Sequence, residues 1–278
     1  MRLGWLSLAL GIMMLASSLV QAGTWPREER VPGGIAILKV PQKSEASPQV
    51  LFNNQRVYTV KKNGQWYAWV GIPLNQKVGK TQAFWRTRDG DLPLPFLVKN
   101  KDYPVQKLKV APRHVNLSPE DLARVRKEIP ELRGAMNNFR PVILPLPDLV
   151  PPTKGRKSSS FGLRRVFNGE SRNPHSGLDI AAAQGTPIRA VLPGRITAKN
   201  NYFFNGNTLV IDHGQGLTSL YCHMSRFADL KVGDQVEAGQ FIGEVGTTGR
   251  STGPHLHWTM SLNAARVNPS LFLKEAKN

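Results

Sequence analysis

Cysteine is nearly absent from this chain, because Cys222 is the only one among 278 residues. A single cysteine cannot form an intramolecular disulfide, so the fold does not depend on disulfide bonds. A lipoprotein is also excluded, because lipid attachment needs a cysteine directly after a signal segment. We expect Cys222 to be a small buried side chain that faces away from His223, as successive residues of a strand do.

Acidic residues are also scarce. Asp and Glu number 19 against 37 Lys and Arg, which gives a formal net charge of +18 and indicates an anionic partner. Nucleic acid is the usual candidate, but the N-terminus argues against it. Residues 1–22 begin with the positive Arg2, continue as an apolar run and end at the small Ala22, which is typical of a cleaved signal peptide. An uncleaved anchor helix is the alternative, since the apolar run approaches the length of a membrane span.

Two common catalytic motifs are missing. The chain has no H-E-x-x-H sequence, so it is not a zinc protease of the helical type. The glycine-rich residues 246–250 (GTTGR) lack the Walker pattern and do not open a helix, which excludes a phosphate-binding loop.

Histidine is rare but clustered. There are six in all, and two segments carry three of them: NPHSGLD at 173–179 and GPHLHW at 253–258. On a strand, His255 and His257 would face the same side, and His175 and Asp179 could also share a face. Imidazole and carboxylate suit zinc, and a catalytic site keeps one position open for water. His175, Asp179 and His257 would supply three ligands and leave that position free.

These segments belong to a longer series of short motifs. Over about residues 157–272 the series closely resembles the lysostaphin/LytM family of zinc endopeptidases, which cut peptide cross-bridges in peptidoglycan. The motifs are FGLRR at 161–165, NG at 168–169, HSGLDI at 175–180, IDHG at 211–214, YCH at 221–223, GTTG at 246–249, GPHLHW at 253–258 and VNP at 267–269.

The resemblance implies a role for each matching residue. His175, Asp179 and His257 would bind one Zn²⁺ per chain, while His255 and His223 would be catalytic. Peptidoglycan would be the anionic partner, with D-Ala to meso-diaminopimelate cross-links as the expected substrate and Gly-Gly bridges as the alternative. We expect a periplasmic or secreted monomer, with the Gram-negative periplasm favoured, that binds no nucleic acid and has no stable membrane insertion after signal cleavage.

Two other functions remain open. One is a zinc-bound wall protein that activates an amidase without hydrolysis, although the complete ligand set argues against it. The other is an exported β-protein without metal. His213 is a further candidate ligand by residue type, but its place in residues 211–214 favours a structural turn, and His114 is expected on the surface.

The turn and strand patterns predict a mainly β chain. An antiparallel β-domain of the lysostaphin type (157–278) follows a signal peptide (1–22), a small β-sandwich-like domain (23–110), a helical segment (111–140) and a proline-rich connector (141–156). The sandwich is predicted from short strand-like runs and from the Asn63-Gly64 turn. The helix is predicted to begin at the N-cap Ser118 and to end or kink at Pro130, with a second short helix after it.

Overall fold

The computed structural model describes residues 25–108, 117–144, 148–171 and 173–274. Within these ranges the chain is mostly antiparallel β-structure with one α-helix, which confirms the predicted fold class. The predicted signal peptide and His114 lie outside the described residues. Among the residues described, no helix combines the length and the apolar character needed to cross a membrane.

Seven strands form a sandwich in the N-terminal part. β1, β5 and β4 make one antiparallel sheet, and β3, β2, β6 and β7 make the other. Apolar side chains from both sheets share a core, in which the rings of Phe52 and Phe96 lie 5.6 Å apart. Asn63 and Gly64 both have positive φ, as the predicted hairpin turn between β4 and β5 requires. The strands are β1 (Ile35–Val40), β2 (Gln49–Phe52), β3 (Gln55–Arg56), β4 (Tyr58–Lys62), β5 (Gln65–Gly71), β6 (Gly79–Thr87) and β7 (Gly90–Val98).

The remaining strands build the C-terminal part. The main sheet has the order β17-β14-β15-β16-β19-β12-β9, with β13, β18 and β20 paired beside it, and β8, β10 and β11 form a small separate sheet. The elements are β8 (Val105–Leu108), β9 (Arg156–Ser159), β10 (Arg164–Phe167), β11 (Glu170–Ser171), β12 (Leu178–Ala181), β13 (Pro187–Arg189), β14 (Gly194–Tyr202), β15 (Gly206–Asp212), β16 (Thr218–Phe227), β17 (Gln235–Val236), β18 (Phe241–Val245), β19 (His255–Leu262), β20 (Ala265–Val267) and a 3₁₀ helix (Pro269–Phe272).

The two β-regions share one hydrophobic core. Ile35, Tyr58 and Trp69, which lie on the outer face of the β1-β5-β4 sheet, pack into the core of the C-terminal sheet. Gly71 and Asn263 exchange two hydrogen bonds of 2.7 and 3.0 Å across this contact. The β1-β5-β4 sheet is therefore buried on both faces, and the N-terminal sandwich is fixed against the C-terminal sheet.

Helix α1 (Pro119–Met136) covers part of one face of the C-terminal sheet. As predicted, Ser118 caps it by accepting a hydrogen bond from the Asp121 amide at 3.1 Å. The prediction of a second short helix was wrong, because α1 continues through Pro130. Pro130 is exposed, and the buried Met136 in the last turn packs on the sheet, which holds the helix together beyond the proline.

Neighbouring strands define the two faces of the C-terminal sheet. Asp179 on β12 pairs with His257 on β19, and Cys222 on β16 pairs with His257 from the other side. Directly paired residues point to the same face, and the α1 residue Met136 packs on that face beside Cys222. We call it the groove face; the opposite face carries the buried Tyr221 and Trp258 of the hydrophobic core.

Candidate metal centre

Strand β19 carries two of the candidate histidines at its start. His255 and His257 are partly exposed, while Leu256 between them is completely buried in the core. This is the alternation that a strand imposes on successive side chains. The expectation that the two histidines lie on the same side of one strand is therefore confirmed.

His175 reaches the same place from outside the sheet. It lies in the irregular segment before β12, not on the strand that carries Asp179. Its backbone is held on both sides, since its amide donates to Leu163 O at 2.9 Å and its carbonyl accepts from the Gly162 amide at 2.7 Å. Gly177 lets this segment approach β19, because a Cβ there would lie 2.6 Å from the His257 ring.

Three potential ligand atoms converge at this point. His175 Nε2 lies 3.0 Å from Asp179 Oδ1 and 3.0 Å from His257 Nδ1. His257 Nδ1 lies 2.8 Å from the same carboxylate oxygen. Tetrahedral ligands about 2.0–2.1 Å from a zinc ion stand roughly 3.3 Å apart, so the three atoms need to separate only slightly to hold one.

The hydrogen bonds behind these atoms set their chemistry. The carbonyl of Ser160 accepts from His175 Nδ1–H at 2.8 Å, which leaves Nε2 as a lone-pair donor when the ring is neutral. His257 Nε2 bonds to Thr259 Oγ1 at 3.0 Å, and Nδ1 faces the cluster. Partners of this kind orient metal-binding histidines. One cation can bind the lone pairs of all three converging atoms at once, so the residues fit a metal ion.

Charge and burial also favour a cation here. Asp179 is buried, which by itself raises the pKa of its carboxyl group, but hydrogen bonds and charge from His175 and His257 outweigh burial and hold that pKa well below its usual range. Burial lowers the pKa of His257. Both shifts favour the deprotonated forms of the carboxyl group and the imidazole, which are the forms that bind metal ions.

His223 and His255 form a second pair beside the cluster. Their ring centroids are 4.7 Å apart, and His255 Nε2 lies 4.0 Å from Asp179 Oδ1. His223 Nδ1–H donates to Thr248 O at 2.9 Å, and His255 Nδ1–H donates to Gly253 O at 2.8 Å. Among the described residues, neither Nε2 has a hydrogen-bond partner, and burial lowers the pKa of His223 to about 4. A neutral imidazole whose Nε2 is available can accept a proton.

An irregularity in β16 turns the side chain of His223 towards the groove face. Regular alternation after Cys222 would turn His223 towards the core face, but His223 has a φ of +62° and the pairing with β15 changes register here. Bulges and left-handed residues often redirect side chains at functional sites. Cys222 is buried and free, as predicted, and burial raises the pKa of its thiol to about 12. The expectation that it faces away from His223 was wrong, because it assumed a regular alternation that the backbone at His223 breaks.

His213 has a structural environment. It is buried, and its ring nitrogens bond to Pro193 O and Ser219 Oγ, both at 2.7 Å. The sequence did not identify the groups that orient the candidate ligands, because Ser160 O, Thr248 O and Gly253 O are backbone atoms without a residue-type signal. Thr259 had a usable signal: it lies two residues after His257 and therefore faces the same side of β19.

Comparisons with known proteins agree with this geometry. The profile of Peptidase family M23 matches residues 173–269, which contain the cluster. That of the Peptidase family M23 N-terminal domain matches residues 28–101, which contain the sandwich. A crystal structure described as a peptidase M23 from Pseudomonas aeruginosa is 38% identical, with a TM-score of 0.75, over 88% of this chain and 95% of that one.

Two curated relatives match over the C-terminal part. The DD-carboxypeptidase/endopeptidase Mpg of Neisseria meningitidis serogroup B is 43% identical over 122 residues, which cover 44% of this chain and 28% of that protein. The peptidoglycan DD-endopeptidase ShyA of Vibrio cholerae is 39% identical over 117 residues, which cover 42% of this chain and 27% of that protein. The matched part of the chain thus spans less than a third of the length of these relatives.

Proposed function

Because this chain belongs to peptidase family M23, we propose that it is a zinc-dependent endopeptidase that hydrolyses the peptide cross-links of peptidoglycan. The proposal rests on the convergence of His175, Asp179 and His257 on one point of the groove face. Beside that point lie His223 and His255, whose Nδ1–H groups donate to backbone carbonyls and leave the Nε2 atoms available.

Zinc is the metal that fits this set of donors best. Two imidazole nitrogens and one carboxylate oxygen are typical of catalytic zinc sites, which leave a fourth position for water or substrate. Each proposed histidine ligand is already oriented, His175 by Ser160 O and His257 by Thr259 Oγ1. We propose one zinc ion per chain.

Bound at this point, zinc would polarise the scissile carbonyl and lower the pKa of a coordinated water towards about 7. The chain's own residues then move the protons. His223 and His255 both present Nε2 to the space beside Asp179, so one of them can accept the proton of the attacking water and then give that same proton to the leaving amine. The chain has no H-E-x-x-H glutamate for this role.

The proposed scissile bond is the D-Ala to meso-diaminopimelate cross-link. This choice is supported by the names of two relatives, a DD-carboxypeptidase/endopeptidase from Neisseria and a peptidoglycan DD-endopeptidase from Vibrio. With the signal-like residues 1–22, the substrate implies export, and we propose the Gram-negative periplasm as the location. We propose further that the enzyme is a monomer and that its positive charge serves contact with the wall polymer instead of nucleic acid.

The test is digestion of purified cross-linked muropeptides of both types, with mass spectrometry of the products. We expect cleavage of the D-Ala to meso-diaminopimelate dimer, loss of cleavage after removal of metal with a chelator, and recovery with added zinc. His175→Ala is the matched inactive control. Binding without cleavage by the zinc-loaded protein would instead favour a non-hydrolytic activator of an amidase, and cleavage of Gly-Gly bridges alone would contradict the proposed bond.

A further inference from the structure

Arg266 occupies an unusual position close to the metal centre. On β20 it pairs with Ser261 on β19, and Ser261 pairs in turn with Thr218 on β16. Ser261 follows His257 by four residues and therefore points to the same side of its strand. Directly paired residues share a face, so Arg266 stands on the groove face.

The side chain of Arg266 is directed towards the proposed ligands. Its Nη1 donates a hydrogen bond of 2.8 Å to Ser176 Oγ, on the residue that follows His175. A substrate lying along the groove face past the metal centre would meet this guanidinium.

Within the described ranges, no carboxylate forms an ion pair with Arg266, and Ser176 Oγ is its recorded side-chain partner. Arg266 keeps an exposed surface. Burial by the protein atoms around its guanidinium, together with the positive charge of Arg133 on α1, lowers the pKa of that group. Arg133 is exposed too. The two guanidinium groups repel each other, and an anionic ligand bound at Arg266 would offset that repulsion.

A carboxylate is the anion that matches this position. A guanidinium presents its N–H donors as a planar fork that fits the two oxygens of a carboxylate, and the bond to Ser176 leaves further donors of Arg266 available. A meso-diaminopimelate cross-link carries a free carboxylate next to the scissile amide, whereas a Gly-Gly bridge has none.

We propose that Arg266 binds the substrate carboxylate adjoining the scissile amide and thereby makes the enzyme selective for cross-links that carry it. This inference rests on the proposed function for its substrate class. It assigns the choice between the two bridge types to a single side chain of β20, outside the metal ligands and the two proton-transferring histidines.

The experiment compares two soluble muropeptide dimers that differ only in this group, one with a free carboxylate beside the cross-link and one with an amide. We expect the wild-type enzyme to favour the free acid by about tenfold or more in kcat/KM, the effect of losing one charge-assisted contact. Arg266→Gln should remove this preference, mainly through KM, with zinc content unchanged. Arg266→Lys, which keeps the charge but not the fork, should restore only part of it.

Arg195→Gln is the matched control, because Arg195 is an exposed arginine of β14 whose Nε bonds to Gly233 O. It should keep the wild-type preference. An unchanged preference in folded, zinc-loaded Arg266→Gln would overturn the proposal.

Calorimetric binding of both dimers to the wild-type chain and to Arg266→Gln separates this inference from the proposed function. Arg266-dependent binding of the free acid without cleavage would refute the peptidase and keep the carboxylate site. Cleavage or binding that ignores both the carboxylate and Arg266 would refute the site.

Discussion

The N-terminal sandwich and the C-terminal sheet are both antiparallel β-structures, yet they contribute to the site in different ways. All five candidate side chains, at positions 175, 179, 223, 255 and 257, belong to the C-terminal part. The sandwich contributes packing instead, through the outer face of its β1-β5-β4 sheet, which carries Tyr58 and Trp69 into the shared core. The sandwich therefore supplies no candidate site residue, yet its Tyr58 and Trp69 belong to the core of the sheet that carries the site.

Residues just after the sandwich reach closer to the metal centre. Strand β8 pairs in parallel with β10, and Pro104 O accepts a hydrogen bond from the Arg164 amide at 2.9 Å. Directly before Arg164, Gly162 and Leu163 hold the backbone of His175 on both sides. The support of His175 thus passes from the N-terminal part through residues 162–164, whereas Asp179 and His257 are held by the strands of the C-terminal sheet itself.

The largest effect is expected from the side chains of the C-terminal part. His175→Ala, Asp179→Ala and His257→Ala should each bring bound zinc below one per chain and abolish cleavage, because two remaining ligands cannot retain the ion. Elemental analysis after equilibrium dialysis measures the zinc. His213→Gln is the control, since this buried histidine lies outside the cluster and its replacement should leave zinc bound. Full zinc occupancy in all three alanine variants would show that the ligand assignment is wrong.

Sequence reasoning identified the candidate residues more completely than it identified their supports. Residue types at strand spacing pointed to His255 and His257, and the fold confirms their common face. The left-handed backbone at His223 and the backbone acceptors behind the rings had no such signal, because they depend on register and loop path. The contact of Trp69 with the C-terminal core was not predicted, although β5 reads QWYAWVG, a near-continuous apolar run of the kind found in strands buried on both faces.

A smaller effect is expected for the two histidines that we place beside the metal. His223→Ala and His255→Ala should keep zinc and the fold, while turnover falls by about 10² or more, as is usual when an acid–base group is lost. Single-turnover kinetics on a soluble muropeptide dimer, combined with zinc analysis, would measure both properties. If His255→Ala loses the metal and His257→Ala retains it, the roles of these two residues are exchanged.

The smallest effect tests whether the N-terminal part positions His175. The Tyr103 ring packs against Gly162 so closely that a Cβ at Gly162 would overlap it, and Tyr103 OH donates to Pro32 O at 2.7 Å. Tyr103→Ala should loosen the segment that holds His175 and weaken zinc affinity by up to about tenfold, the lower end of the range for groups that orient ligands. Chelator competition measures this affinity.

Tyr67→Ala, which removes a ring packed on Trp25 of the same N-terminal part, is the control for general destabilisation. If Tyr103→Ala and Tyr67→Ala lose zinc affinity equally, Tyr103 contributes to general stability and not to the position of His175. If folded Tyr103→Ala keeps the wild-type zinc affinity, His175 is positioned by the C-terminal part alone.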